Sequence, residues 1–409
     1  MPARTLSPLD SPAIGTRADD LVEPCREPGP TAARPDPPPA EPALAVAFSG
    51  GGFRATLAAV GVGRFLADAG LLERVRYVSS VSGGSVAHGL LAVAWERLAK
   101  DGFAPERYDE LVVQPLVQRI GESSLEAALL RNVWRIVGSK TRTDLLADLF
   151  DRWFFDGALL EELPAGTRFV FNAANLTTGV RFGFERDVVG DYVLGLVPAR
   201  GTGLRVAQAA AASAAVPGAF APLELALAFP CARGRRAALL DGGCYDNLGL
   251  EVVDSLPEVC LVAMNAGGTF QTGAWGRVPL VRDLARANAL LYRQTNALRM
   301  RTMVERFQVW EQARKAGVTP PRWGRQGVLF GLATTMDAKA TPEWTGTRPE
   351  PSREQIVELA LTPTSFDRFD GELCEALIHR GWWLAGATLA SFHRRLLGDL
   401  PRWRRLDGA

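Results

Sequence analysis

Beyond position 43 the apolar residues follow two alternating patterns. One is the short, nearly unbroken run that suits a strand buried on both faces. It occurs at Ala43–Phe48 (ALAVAF), Val75–Val81 (VRYVSSV), Arg168–Ala174 (RFVFNAA), Val180–Glu185 (VRFGFE), Ala237–Gly243 (AALLDGG) and Cys260–Gly267 (CLVAMNAG). The other is helical spacing, over Phe53–Ala69 with Gly70 as its stop, and from Gly83 to Lys100 ending near Gly102. Glycine suits such stops because it adopts the left-handed conformation at little cost. Further helices are predicted at Ala207–Ala215 before Pro217, over Arg282–Ala313, and from Phe369 towards Leu397. Residues 103–165 read as mainly helical and carry Trp134, Phe150, Trp153, Phe154 and Phe155. The opening strand–helix–strand–helix order predicts parallel strands joined by crossover helices, an α/β fold.

Residues 1–42 break both patterns. They are rich in proline and small polar residues and end in ARPDPPPAEP. Such a segment buries too little apolar surface to offset its ordering entropy. The expectation is a disordered extension, 1–42, ahead of one domain, 43–409.

Composition adds exclusions. Of the 409 residues 47% are hydrophobic and 22% charged, as in a soluble globular protein. A formal net charge of +1 gives no global field for nucleic acid or an anionic membrane, although a local patch stays open. The longest weakly polar run, Val206–Pro222, is mostly alanine and contains Gln208 and Ser213. It falls short of the roughly 20 strongly apolar residues of a transmembrane segment. No basic-then-apolar leader opens the chain. The five cysteines (Cys25, Cys231, Cys244, Cys260, Cys374) include no CxxC pair and are odd in number. That predicts a reduced, cytoplasmic protein. The excess of arginine over lysine, with abundant Ala and Gly, looks like a GC-rich bacterial coding bias.

Two turns carry candidate chemistry. The first is Ser49-Gly50-Gly51-Gly52-Phe53-Arg54-Ala55. Its glycines admit positive φ and close approach, and the helix that follows points free N–H groups and its positive dipole end at the same place. An oxyanion could sit there. Arg54 could add charge or lock the loop. The same residues also satisfy a dinucleotide fingerprint, Gly50-x-Gly52-x-x-Ala55. That reading expects an acidic residue at the end of the second strand, where Ser79-Ser80-Val81-Ser82 stands instead.

The second turn is Ser80-Val81-Ser82-Gly83-Gly84-Ser85. A serine between strand and helix, followed by glycine, fits a nucleophile elbow, with Ser80 in place of the first glycine of G-x-S-x-G. Ser82 could equally be a helix N-cap. A nucleophilic serine needs a base. His88 lies more than one turn along the helix that Ser82 begins, and His379 and His393 fall in the C-terminal helix. Asp241, ending an apolar strand before Gly242-Gly243, is the better candidate. Asp246 and Asn247 suit the loop that follows.

Taken in order, the triple glycine with Arg54, the VSGGS turn and the DGG aspartate resemble the patatin-like phospholipases. Ala212-Ser213-Ala214-Ala215-Val216-Pro217-Gly218, Asn172-Ala173-Ala174-Asn175 and Thr177-Thr178-Gly179 also look familial. The resemblance covers about residues 44–265 and extends loosely through the C-terminus. It implies a three-layer α/β fold with a mainly parallel central sheet flanked by helices. It implies a Ser–Asp dyad of Ser82 as nucleophile and Asp241 as base. Gly50, Gly51, Gly52 and Arg54 would form the oxyanion hole. It implies hydrolysis of lipid acyl esters with no cofactor and no metal in the dyad chemistry. Ser80 departs from the glycine of many members.

The expected substrate is a lipid or membrane-surface ester, with no nucleic acid partner. An activating protein partner stays open. The amphipathic run from Gly381-Trp382-Trp383-Leu384 to Leu397, followed by Pro401-Arg402-Trp403-Arg404-Arg405, could lie on a membrane or pack on the domain. The helical insert 103–165 could cover the substrate. A catalytically silent binding protein on the same fold is the alternative class, and a nucleotide-binding module the third.

Overall fold

A computed structural model describes residues 24–406 apart from 133, 135, 137–139, 257, 269–278, 337 and 338. Its sheet has ten strands: β1 (Leu44–Phe48), β2 (Val75–Ser80), β3 (Arg168–Asn175), β4 (Val180–Phe184), β5 (Val188–Asp191), β6 (Gly195–Pro198), β7 (Leu223–Leu225), β8 (Ala237–Asp241), β9 (Cys260–Asn265) and β10 (Gly327–Gly331). The order is β10-β9-β1-β2-β3-β4-β5-β6. Strands β10 to β3 run parallel, and β4 to β6 continue antiparallel. The mixed α/β sheet flanked by helices is the fold class the sequence predicts, with its parallel part confined to one side.

Alternation along β1 builds the layers, because successive side chains leave a strand on opposite faces. Leu44, Val46 and Phe48 join the larger core, while Ala45 and Ala47 join a smaller one. The larger core lies under α1 (Gly52–Asp68), α2 (Gly83–Lys100) and α3 (Val206–Ser213). The smaller one contains Leu248, Leu250, Val252, Val253 and Met303, the last from α4 (Pro279–Lys315). Strands β5, β6, β7 and β10 are absent from the sequence reading. They span three to five residues, and β5, β6 and β10 contain glycine, which leaves no readable period.

Two readings meet different outcomes. The last long helix, α5 (Gly371–Phe392), follows the packing alternative. It packs on α1, and Trp382, Trp383, Leu384 and Leu389 are buried. A Cβ on Gly381 would lie 2.0 Å from the Ala58 carbonyl oxygen, and one on Gly61 2.0 Å from that of Ile378. Glycine on each helix therefore permits a contact that larger residues would prevent. Trp382 Nε1 donates to Asp68 Oδ2 at 2.7 Å, which satisfies the indole buried by that contact.

The proline-rich extension is the second. Residues 24–42 carry no regular element but are tied to the domain. Cys25 and Cys231 form a disulfide, so the cysteines are not all reduced, and the ground for a cytoplasmic location falls with that reading. The Cys25 N–H donates to the Tyr192 carbonyl at 2.7 Å, and Arg76 Nη2 donates to the Pro37 carbonyl at 3.1 Å. A segment short of apolar residues is held here by its backbone groups and one covalent bond. Residues 1–23 lie outside the described residues. Among the described residues no helix is long and apolar enough to cross a membrane.

Candidate active site

Ser82 stands between β2 and α2 with φ 51° and ψ −123°, a conformation that favours glycine. Non-glycine residues held there cost about 1–3 kcal/mol and persist only where the surroundings over-determine them. The surroundings here are close. A Cβ on Gly83 would lie 2.0 Å from the Gly52 carbonyl oxygen, and one on Gly84 2.7 Å from that of Phe48. The Ser82 side chain makes no cap hydrogen bond to α2, so the N-cap alternative does not describe it. Its backbone N–H donates instead to Ser213 Oγ at 2.9 Å.

Strand β3 delivers Asp241. Its first half pairs with β2, ending at Phe171 opposite Ser80. Past the end of β2, β8 joins β3 in antiparallel register, with Asp241 opposite Ala173. Two positions along one strand separate these partners, about 7 Å at the usual rise. The end of β8 therefore meets the turn that follows β2, and the Asp241 carboxyl comes near enough to Ser82 for its hydroxyl to favour the ionised form. Gly243 N–H donates to Asp241 Oδ1 at 2.7 Å. Burial pushes the Asp241 carboxyl up to about 6, against the opposing pull of the Gly243 N–H and the nearby Ser82 hydroxyl.

The glycine loop lies against this pair. A Cβ on Gly50 would come within 3.0 Å of Ser82 Cβ and 2.4 Å of Asn247 Oδ1. Gly51 and Gly52 take φ of 148° and 61°. The Gly50 N–H is spent on the Asn247 carbonyl, and that of Phe53 on Ser365. Among the described residues no acceptor faces the N–H groups of Gly51, Gly52 and Gly83. Gly50 thus differs from its neighbours in having no free donor. Arg54 reaches from the start of α1 to segments far along the chain. Its Nε and Nη2 donate to the Ala266 carbonyl at 3.1 and 2.9 Å, its Nη1 to the Thr362 carbonyl, and its Nη2 also to Thr364 Oγ1. Burial lowers its pKa from the usual value.

The histidines stand apart. His88 is buried and meets Ser80, His379 lies between Trp382 and Trp403, and His393 bonds the Gly327 carbonyl. The sequence reading missed four side chains around the pair. Ser213 and Asn172 buttress the turn, since Ser213 Oγ donates to the Asn172 carbonyl at 2.6 Å and Asn172 Nδ2 to the Ser80 carbonyl at 2.9 Å. Asn247 fills the gap between Gly50 and Gly243, and Tyr292 of α4 lies near Gly243 and Gly267. Burial, then the Asp241 charge, raises the Tyr292 phenol. Ser213 and Asn172 did stand in motifs singled out as familial; nothing local distinguishes Tyr292 in a long polar helix.

Comparison with known proteins adds the following. Human GIVD cytosolic phospholipase A2 has a similar fold, with 14% identity, a TM-score of 0.50, and coverage of 87% of this chain and 60% of that one. The same enzyme in complex with methyl gamma-linolenyl fluorophosphonate aligns with 15% identity and a TM-score of 0.48 over 87% and 59% of the two chains. This chain therefore spans less than two thirds of those structures. No curated protein sequence matches it. The family model for patatin-like phospholipase matches residues 46–254, which include the end of β1, the glycine loop, Ser82 and Asp241. The chain belongs to the patatin-like phospholipase family.

Proposed function

We propose that this protein is a serine lipid acyl hydrolase of the phospholipase or lysophospholipase type, a carboxylic ester hydrolase working through Ser82 and Asp241. The observation that carries the reading is a serine on a strained turn, beside a buried carboxyl and flanked by unspent N–H groups. Asp241 takes the Ser82 proton as Oγ attacks the ester carbonyl. The N–H groups of Gly51, Gly52 and Gly83 receive the oxyanion, and Arg54 holds their loop in place. As the intermediate collapses, the C–O bond breaks and the leaving alcohol takes the proton from Asp241. An acyl-Ser82 ester remains. Water then gives a proton to Asp241 and attacks this ester; as the second intermediate collapses, the bond to Ser82 Oγ breaks, Asp241 returns the proton to Ser82, and the fatty acid leaves.

The substrate is a lipid presented at a membrane or aggregate surface. Phe53, Phe150, Phe154 and Phe366 pack edge to face or tilted beside the glycine loop, an apolar wall suited to an acyl chain. Phe150 and Phe154 come from the helical insert, which supports its reading as part of a substrate cover. Residues 43–409 act as one domain in this proposal. The test is labelling with a fluorophosphonate probe and mapping of the modified residue. Modification of Ser82 is expected; an unreactive native protein, or label on another residue, would overturn the proposal.

A further inference from the structure

A file of hydrogen bonds runs behind the Ser82 turn. His88 Nδ1 lies 2.6 Å from Ser80 Oγ, Ser80 Oγ 2.9 Å from Ser85 Oγ, Ser85 Oγ 3.0 Å from Ser213 Oγ, and Ser213 Oγ 2.6 Å from the Asn172 carbonyl oxygen. His88, Ser80, Ser85 and Ser213 are all fully buried, so water does not compete for these groups. The Ser82 N–H donates into the file at Ser213 Oγ.

Each of the four contacts needs one hydrogen, and a hydroxyl supplies one. A carbonyl oxygen has none, so Ser213 donates to Asn172. Ser213 then has no hydrogen for Ser85, and Ser85 donates to Ser213. By the same count Ser80 donates to Ser85. The remaining contact can be filled only by an N–H on His88 Nδ1. With the opposite tautomer, two oxygens 2.9 Å apart would face each other with no hydrogen between them. The ring's other nitrogen, Nε2, has no partner among the described residues. As a bare lone pair it leaves no orphaned N–H in the apolar stack against Phe171, whose ring is 4.0 Å away and 4° from parallel. Burial also drives the imidazole down to about 3, so the ring is neutral at ordinary pH.

We propose that His88 is a positioning residue: as the Nδ1–H tautomer it orients the hydroxyls of Ser80, Ser85 and Ser213, which hold the Ser82 backbone in its strained conformation. The inference rests on Ser82 being the nucleophile. With both lone pairs and its hydrogen committed, Ser213 cannot rotate away from the Ser82 N–H. A turn at φ 51° needs such a fixed partner. The serine that replaces the usual first glycine of the elbow thereby gains a role, since a glycine at position 80 would remove the first two contacts of the file.

Two arms test this. In native protein labelled with 15N-histidine, with the signal assigned by its loss in His88→Asn, His88 should show a protonated Nδ1 and a bare Nε2. An Nε2–H tautomer, or an imidazolium at neutral pH, would overturn the proposal without reference to activity. In kinetics, His88→Phe keeps a flat ring against Phe171 but has no donor. Its kcat should fall roughly 10-fold with KM unchanged, the scale of a small misplacement of a reacting group. His88→Asn puts an amide N–H close to the position of Nδ1–H and should recover most of that loss. An unchanged kcat in His88→Phe would equally overturn it. Should the hydrolase reading be what fails, native protein would show no turnover while the tautomer stayed as stated.

Discussion

Replacing Asp241 by asparagine should abolish turnover and raise the melting temperature. The carboxyl is pushed from 3.8 to about 6 chiefly by burial, so the folded state holds its proton more tightly than the unfolded chain does. A group of this kind contributes stability below its unfolded pKa and loses it as pH rises through the folded one. The raised pKa of Asp241 therefore costs the fold about 3 kcal/mol at pH 7.5, about half of that at pH 5 and only a small fraction of it at pH 4. Asparagine keeps the shape, can still accept from Gly243 N–H through its oxygen, and has no charge to desolvate. The melting temperature at pH 7.5 should rise by roughly 3–6 °C, less any loss at the Ser82 contact. The advantage should shrink steadily towards pH 4. Turnover should vanish because an amide cannot take the serine proton. Thermal melts of both proteins across this pH range, with single-turnover acylation at pH 7.5, decide it. An asparagine variant that melts below the native protein at pH 7.5, or a gap that does not narrow on acidification, would refute the desolvation argument. Retained acylation would refute the base assignment.

Three further outcomes are expected. Ser82→Gly and Ser82→Ala should both be inactive towards p-nitrophenyl esters, with the glycine variant more stable than the alanine one by about 1 kcal/mol in urea denaturation, because only glycine relieves the strain at φ 51°; equal stability would contradict that strain. Gly51→Ala should lose at least ~100-fold in acylation rate, the scale of one oxyanion donor, since its Cβ would meet the Ala266 carbonyl oxygen at 2.4 Å and displace the loop; a folded variant with native kinetics would remove Gly51 from the site. Cys25→Ser should cost about 2–4 kcal/mol of stability and leave esterase kinetics unchanged, because the disulfide ties the extension near β6, at the sheet edge away from β1 and β2; reductant should lower the native melting point to that of the variant, and no change with reductant would count against the bond.

What the sequence made legible was local. The run VRYVSSV is followed by serine and glycine, and AALLDGG ends in aspartate and glycine, so both chemical groups sit where a strand stops and a turn begins. The rest depends on contacts that no local pattern encodes. Arg54 reaches a carbonyl 308 positions away, and Cys25 pairs across 206. Ser213 looks like an incidental polar residue at the end of an alanine-rich helix until β3 brings Asn172 beside it. The tail misled for a related reason: a scarcity of apolar residues limits hydrophobic burial, but it leaves carbonyls and one thiol free to bind.

The topology also bears on why a carboxylate could serve here without histidine. An aspartate in water, near 3.9, is a weak base, whereas imidazole near 6.5 is suited to neutral pH. Because β8 enters alongside β3 just beyond the end of β2, Asp241 is carried inside the fold, and burial brings it to about 6. Desolvation thus moves a carboxylate most of the way to the strength of an imidazole, and on the proposed mechanism one residue supplies what a triad divides between two. The same desolvation is the cost that the asparagine variant would relieve. Basicity and instability at this position are two readings of one free energy, and a change that solvates Asp241 while leaving Ser82 in place should lower both together.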